Sequence, residues 1–183
     1  MLKKLLIICL LFSGTAGFAQ FSFGVNAGYN NSSIKSSAEE VSVSTNESGY
    51  FLGVVSQYFI SGKLQLEGSV NYVLVEDSNF LQIPVLLKYY VGNTLLNLQA
   101  GPQATINLDE IYGPINRTGL DLAFGAGYDI TQHFFVFGRY AFELTNRTSE
   151  GIEYYVIDES PGPQTLDVTT RLNTLNIGVG YKF

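Results

Sequence analysis

Apolar and polar residues alternate along the chain with a period of two, in eight separate segments. A period of two predicts β-strands whose two faces meet different surroundings. The alternation is clearest near the middle of the chain, where apolar residues occupy even positions from Leu96 to Leu108. The predicted strands are Phe21–Asn30, Gly49–Ile60, Leu64–Val75, Phe80–Val91, Leu96–Leu108, Thr118–Ile130, Phe134–Asn146 and Arg171–Phe183.

The connections between these strands fall into two classes that alternate along the chain. Tight turns are predicted at Ser61–Lys63, Gly92–Asn93 and Thr131–His133, and the longer connections are Asn31–Ser48, Glu76–Asn79, Asp109–Arg117 and Thr148–Thr170. In an up-and-down arrangement, all the tight turns fall at one end and all the longer loops at the other. This asymmetry predicts an all-β fold, an eight-stranded antiparallel up-and-down transmembrane β-barrel.

Alternation alone also fits a soluble barrel with an apolar interior, so other features must decide which face is apolar. The polar positions carry Gly, Asn, Gln and Ser, and charged residues make up only 14% of the chain. A soluble surface normally has far more charge, whereas small polar residues suit a narrow lumen. Aromatic residues gather at the strand ends, as they do at membrane interfaces. These features indicate an apolar outer face in contact with lipid.

The N-terminal residues have the pattern of an export signal. Lys3 and Lys4 precede the apolar run Leu5–Phe12, and small residues precede Gln20. We therefore expect residues 1–19 to be a signal peptide and residues 20–183 to form one barrel domain. Together with the barrel pattern, this leader predicts the bacterial outer membrane as the location.

The last eight residues resemble the C-terminal signal of bacterial outer-membrane barrels. Asn176 and Gly178 occupy the polar face, and the aromatic residues Tyr181 and Phe183 alternate on the other face. We expect these residues to act in assembly, with the barrel-assembly machinery as a partner during insertion and outer-membrane lipid as the permanent partner.

Hairpin geometry predicts a polar row inside the lumen. Pairing the strands across their shortest connections aligns Gln57 with Glu67, Glu67 with Lys88, and Lys88 with Asn97. A Glu67–Lys88 ion pair would lie at the centre of this row, because a buried charge without a partner is costly.

The same geometry aligns Asp121 with Glu143 across the sixth and seventh strands. Two opposed carboxylates repel each other. Either Arg139 reaches between them, or one carboxyl is protonated, or the register differs. The sequence leaves these three alternatives open.

Composition excludes several classes of function. The formal net charge is −6, and removal of Lys3 and Lys4 makes it −8, which argues against nucleic acid as a partner. The single cysteine, Cys9, lies in the leader, and the single histidine, His133, lies in a tight turn without an acidic neighbour. We therefore predict no catalytic residues, no cofactor and no metal site.

Several segments resemble the PorT-like outer membrane β-barrel proteins, which are often labelled porin family. They are Leu81–Tyr90, Leu98–Pro102, Gly138–Tyr140, Leu144–Asn146 and Gly178–Phe183. The resemblance implies an eight-stranded barrel in the outer membrane and brings no catalytic set. PorT itself resembles a secretion-system component, but a shared fold does not transfer that role.

Three functional hypotheses follow. The first is a non-enzymatic barrel that has a structural, adhesive or envelope-interaction role through external loops 31–48 and 148–170. The second is a narrow small-solute conduit, although eight strands leave a lumen that side chains just fill. The third is an accessory component of a secretion machine. The sequence identifies no protein partner.

Overall fold

A computed structural model describes residues 20–38, 41–75, 78–109, 116–147, 153–154, 164–165 and 168–183. Eight long antiparallel strands close into a barrel, which confirms the predicted fold class. The described residues contain no helix that is long and apolar enough to cross a membrane. The predicted leader, residues 1–19, lies outside the described residues.

Ten strands are present in the described residues. They are β1 (Phe21–Ala38), β2 (Val41–Ser61), β3 (Leu64–Val75), β4 (Asn79–Tyr90), β5 (Leu96–Asn107), β6 (Thr118–Asp129), β7 (Phe134–Glu143), β8 (Glu153–Tyr154), β9 (Gln164–Thr165) and β10 (Val168–Lys182). The barrel order is β1-β10-β7-β6-β5-β4-β3-β2, so β1 and β10 close the cylinder, while β8 and β9 pair only with each other.

The apolar face of the strands points outward. Leu98 and Val179 are 52% and 57% exposed, and Leu96 and Tyr181 lie on the same outer surface. The inner positions of the same strands carry mostly polar side chains, which are buried. Such a distribution is that of a membrane barrel. An apolar cluster is nevertheless buried among the polar side chains, and it consists of Phe51, Val55, Val73, Phe80, Phe135, Phe137 and Leu172.

The predicted register is correct for some hairpins and wrong for others. Gln57 lies opposite Glu67, as expected. However, Glu67 lies opposite Leu86 and not Lys88, while Lys88 lies opposite Gln65 on one side and Gln99 on the other. Asn97 consequently lies opposite Tyr90 and not Lys88.

These errors arise in the turns. The β4–β5 turn is longer than predicted, because Val91 donates its backbone N–H to Leu96, and Gly92 occupies the left-handed region with φ +61°. Glycine adopts this conformation without steric cost. At the other end, β3 and β4 pair from Leu74 and Asn79. Each change shifts the pairing by two residues, which preserves the inward and outward faces.

The prediction of a loop at Asn31–Ser48 is wrong, because most of these residues form strand. β1 continues to Ala38, β2 begins at Val41, and β10 begins at Val168, earlier than predicted. Residues 31–38, 41–48 and 168–173 form a three-stranded extension of the barrel, which we call the external sheet. Polar residues dominate this stretch, so the hydrophobic pattern could not reveal it. Most of the predicted loop 148–170 lies outside the described residues.

Smaller differences concern two strand ends. β7 ends at Glu143, three residues before the predicted Asn146. β10 ends at Lys182, but the backbone N–H of Phe183 still donates to the carbonyl oxygen of Phe23 at 2.8 Å. The last aromatic residue therefore remains attached to the neighbouring strand.

Candidate functional site

Five strands each contribute one polar side chain to the middle of the lumen. We call these side chains the central ion cluster: Gln57, Glu67, Lys88, Gln99 and Arg139. The Glu67 carboxylate accepts hydrogen bonds from Lys88 Nζ at 3.0 Å and from Gln57 Nε2 at 2.8 Å, and it forms an ion pair with Arg139. Arg139 Nε donates to Gln99 Oε1 at 2.6 Å.

The central ion cluster is inaccessible to solvent. Lys88 is 0% and Glu67 is 1% exposed. The Arg139 guanidinium lies 3.9 Å from the ring centroid of Phe137, where a cation–π contact adds to its stabilisation. The Glu67 carboxylate thus neutralises both Lys88 and Arg139, and both cations would lose their ionic partner without it.

All seven residues of the predicted lumen row face the interior and are buried: Gln57, Glu67, Lys88, Asn97, Asp121, Arg139 and Glu143. Lys88 reaches Glu67 diagonally despite the shifted register. Asn97 does not join the central ion cluster through Lys88, since its side-chain oxygen accepts a hydrogen bond from Gln99 at 2.7 Å.

A second set of charges lies nearer the external end, and we call it the outer charge cluster: Asp121, Glu143 and Arg147. Asp121 lies opposite Glu143, as predicted. The cation beside Glu143 is Arg147, at 2.8 Å, and not Arg139. Asp121 instead accepts hydrogen bonds from Thr105 and Gln103, the latter at 2.9 Å.

Arg147 was missed because it follows the end of β7. The chain leaves the strand at Glu143, and Arg147 folds back to that carboxylate four residues earlier. Glu143 also accepts the backbone N–H of Leu172 from β10. Alternation along a strand gives no information on a side chain beyond the strand end.

A third set of side chains lies at the opposite end of the lumen: Tyr90, Asp129 and Lys182. Asp129 pairs with Lys182 at 3.2 Å and accepts a hydrogen bond from Tyr90 at 2.8 Å. The ammonium nitrogens of Lys88 and Lys182 both lie over the Phe135 ring, at 5.3 and 5.6 Å from its centroid.

This ring fits only because β10 carries glycine at the facing position. A Cβ added to Gly180 would overlap the ring of Phe135. Alternation of small and large residues is how a narrow barrel fills its interior. Lys182 occupies an even position like the inward Asn176, but nothing in a one-dimensional pattern pairs it with Asp129, which lies on a strand two places away.

The C-terminal residues have divided roles. The Asn176 side chain extends into the lumen, donates to Gln82 at 2.8 Å and accepts from Asn30 at 2.6 Å. Gly178 lies next to the rings of Phe51 and Phe137, where a Cβ would clash. Tyr181 stacks on His133 outside the barrel, and Phe183 is 75% exposed, more than any other large apolar residue that the structure describes.

His133 itself makes structural contacts. Its Nδ1 lies 2.9 Å from the carbonyl oxygen of Lys182, and its own carbonyl accepts the backbone N–H of that residue. It thereby connects the β6–β7 turn to the end of β10. Within the described ranges, no group of three or more His, Cys, Asp or Glu side chains is placed to hold a metal ion.

The external sheet has one free edge. Residues 41–48 of β2 pair with β1, whereas β3 begins to pair with β2 only at Gly49. On the other side, residues 168–173 of β10 pair with β1, and their outer edge is bonded to the end of β7 and the chain after it: Arg147 donates its backbone N–H to the carbonyl oxygen of Thr170, and Leu172 donates its N–H to the Glu143 carboxylate. Within the described part of the chain, nothing pairs with the outer edge of residues 41–48.

The family model described as outer membrane protein beta-barrel domain matches residues 5–183. Solved structures of similar fold include Neisserial surface protein A, with 16% identity, TM-score 0.47 and coverage of 88% of this chain and 97% of that one. Ail, the attachment invasion locus protein of Yersinia pestis, has 15% identity, TM-score 0.46 and coverage of 90% and 99%. OprG from Pseudomonas aeruginosa has 17% identity, TM-score 0.46 and coverage of 88% and 95%. No curated protein matches the chain.

Proposed function

Because the chain belongs to the outer membrane protein β-barrel domain family, and is therefore a barrel of the bacterial outer membrane, we propose that it is non-enzymatic and acts through its external sheet. Its role is structural or adhesive, at the interface between the envelope and the exterior. The continuation of β1, β2 and β10 beyond the other strands carries this proposal.

The external sheet is long enough to act as a separate contact element. Eight residues of each arm of the β1–β2 hairpin extend by about 26 Å along the strand direction. Ser44, Thr45 and Asn46 are all exposed although neighbouring side chains point to opposite faces, so the sheet has solvent on both faces there. A purely membrane-embedded function would not require this extension.

The free edge of β2 supports the adhesive interpretation. An exposed edge offers unpaired backbone N–H and C=O groups, and an extended segment of another polypeptide can pair with them. Natural proteins commonly protect such edges with lysine, proline or a bulge. Residues 41–48 contain no lysine or proline, and their pairing with β1 runs without a register shift.

A narrow conduit is the second candidate, and the polar lining of the lumen is what favours it. The central ion cluster and the outer charge cluster weigh against it, because their side chains are buried against one another. An open water path would require these ion pairs to separate.

Shortening the external sheet tests the proposed function. Ser32 and Glu47 lie opposite each other, so replacing residues 33–46 with Asn-Gly closes the hairpin with a favoured two-residue turn. We expect this variant to insert normally but to lose the ability to restore surface attachment and detergent resistance to a strain that lacks the protein. Cell counts and growth in detergent provide the measurement.

A lumen variant is the matched control. Lys88→Met keeps the Glu67–Arg139 pair and leaves the external sheet unchanged, so it should restore the wild-type phenotype. Full rescue by the shortened variant would contradict the proposal. Reproducible single-channel steps of the intact protein in planar bilayers, altered by Lys88→Met, would instead favour the conduit.

The C-terminal residues are proposed to act in assembly more than in stability. Deleting Phe183 should strongly reduce the amount of folded protein in the outer membrane of cells. In urea unfolding after refolding into vesicles, the same deletion should change stability by about 1 kcal/mol or less, since the side chain is largely exposed. Heat-modifiable gel mobility measures the folded fraction.

Phe21→Ala is the control for this deletion. Phe21 is 44% exposed and begins the first strand, outside the C-terminal octapeptide. It should leave the folded fraction in cells unchanged. Equal losses for both variants would assign Phe183 a general interfacial role and remove the assembly proposal.

A closer relation to the PorT-like proteins is also proposed, on the segments Leu81–Tyr90 and Gly138–Tyr140 that resemble them. Both segments lie entirely within barrel strands, the first in β4 and the second in β7. The resemblance in these segments therefore reflects the architecture of the barrel, and it does not support a role in a secretion machine.

A further inference from the structure

Two cations lie directly opposite each other on the outer surface of the external sheet. Lys35 of β1 is the cross-strand partner of Arg171 of β10, and both side chains are exposed. Like charges in this arrangement repel each other. Within the described residues, neither side chain forms an ion pair with an acidic group. We call these two residues the cation pair.

The distribution of positive charge makes the cation pair distinctive. The chain contains ten Lys and Arg residues. Lys3 and Lys4 lie in the predicted leader, four others are buried in the lumen, and Lys63 and Arg117 lie in connections. The four in the lumen are Lys88, Arg139, Arg147 and Lys182. The cation pair therefore contains the only two basic residues on the outer face of the described strands.

The cation pair lies just beyond the lipid-facing band. On β10 the outward apolar residue nearest to the external end is Leu175. Arg171 lies four residues farther toward that end. With strands tilted by about 40°, four residues correspond to roughly 10 Å along the membrane normal. Long basic side chains can bend back toward the membrane by a further few ångströms.

Polar side chains continue from the cation pair toward the membrane. Ser33 and Asn173 form the next outward cross-strand pair, and Ser44 of β2 lies opposite Lys35. Hydroxyl and amide groups beside two cations are suited to a phosphorylated sugar, because they can hydrogen-bond both the phosphate oxygens and the sugar hydroxyls.

We propose that the cation pair binds phosphate groups on the sugar headgroup of an outer-leaflet glycolipid. The membrane-side neighbours of the site favour a lipid over a free anion. Tyr29, Leu175 and Ile177 form an exposed apolar surface on the same two strands. A single lipid would thus have its headgroup on the cations and its acyl chains on this surface. The proposal is independent of whether the external sheet also binds a partner.

Binding of lipid A to the full barrel in neutral detergent micelles tests this assignment. Native mass spectrometry with diphosphorylated lipid A and with its dephosphorylated form gives the two affinities. We expect the diphosphorylated form to bind more tightly. Lys35→Gln or Arg171→Gln should each weaken its binding by about fivefold, in line with the contribution of one cation at an anionic surface. The double variant should weaken binding by about 25-fold.

Lys63→Gln is the matched control, since it removes the same charge at the opposite end of the barrel and should leave the affinity unchanged. Heat-modifiable mobility checks that each variant is folded. Equal affinity for the two lipids, or equal weakening by Lys63→Gln and Lys35→Gln, would overturn the proposal. Competition by millimolar inorganic phosphate as strong as that by lipid A would assign the site to a soluble anion and also overturn it.

Because the glutamine variants leave the external sheet intact, their failure to weaken lipid binding is distinguishable from a failure of the proposed function. The shortened variant also lacks Lys35, so the double variant Lys35→Gln and Arg171→Gln is tested beside it in the cell assay. This double variant should still restore surface attachment if contact with the exterior and contact with lipid are separate roles.

Discussion

Replacing Glu67 with glutamine is expected to lower the free energy of unfolding by about 3–5 kcal/mol, because removing one partner of a buried ion pair leaves uncompensated charge. Here the loss affects two cations, since Lys88 and Arg139 both pair with the Glu67 carboxylate. All three side chains are buried, so water cannot replace the lost partner. Urea unfolding in neutral lipid vesicles, followed by circular dichroism, measures the effect.

The charge balance of the central ion cluster provides the control. Lys88→Met leaves the Glu67–Arg139 pair with no excess charge. It should therefore lower the free energy of unfolding clearly less than Glu67→Gln does. Replacing all three charged residues together, with Glu67→Leu, Lys88→Met and Arg139→Leu, should return stability close to wild type, as buried ion triads often permit. If Glu67→Gln and Lys88→Met lowered the free energy of unfolding by similar amounts, uncompensated positive charge would not explain the effect of Glu67→Gln.

The second large effect is expected on the lipid-facing surface. Val54 lies four residues from Tyr50 and four from Tyr58, midway between the two aromatic ends of the outward face of β2, and it is 59% exposed. Val54→Arg should lower the free energy of unfolding by about 2–4 kcal/mol, which is the penalty for an arginine that faces lipid near the bilayer midplane. The same unfolding assay in vesicles measures it.

Gln103→Arg is the matched control in the lumen. Gln103 donates a hydrogen bond to one oxygen of the Asp121 carboxylate, and the other oxygen is buried without a partner in the described residues. An arginine there can pair with Asp121, so we expect a cost below that of Val54→Arg. Equal costs would contradict the assignment of the two faces.

The fold could be predicted from the sequence because a membrane barrel imposes a simple rule on every strand. Side chains such as Leu98 and Val179 must meet lipid, while Asn97 and Asn176 must not. That rule depends on the residue type and on whether its position is odd or even. Both faces are correct in the structure even where the strand register is not.

The register itself could not be read reliably, because it depends on the turns. The shift that separates Lys88 from Asn97 arises in a few residues around Gly92. Since it is a shift of two, the apolar faces still match, and nothing in the hydrophobic pattern opposes it. The Glu67–Lys88 pair nevertheless forms because a lysine side chain is long enough to reach diagonally.

The external sheet shows a second limit. Residues 44–46 are exposed on both faces, and the inner face of this sheet mixes Ser32 with the apolar Ile34 and Leu172, so the alternation that identifies a strand is lost. Residues 31–48 therefore suggested a loop, whereas the backbone pairing of β1 with β2 and β10 simply continues. The cation pair emerges only from this pairing, since 136 positions separate Lys35 from Arg171 in the sequence.

By itself, the sequence determined a barrel that is apolar outside and polar inside, because the membrane and the lumen act on each residue according to its own side chain. Which cation neutralises which carboxylate was decided only by the tertiary structure. Arg147 at Glu143, and Lys182 at Asp129, meet through strands and turns whose alignment no single residue controls. Closing the cylinder fixes these distances, because each strand must satisfy both of its neighbours at once.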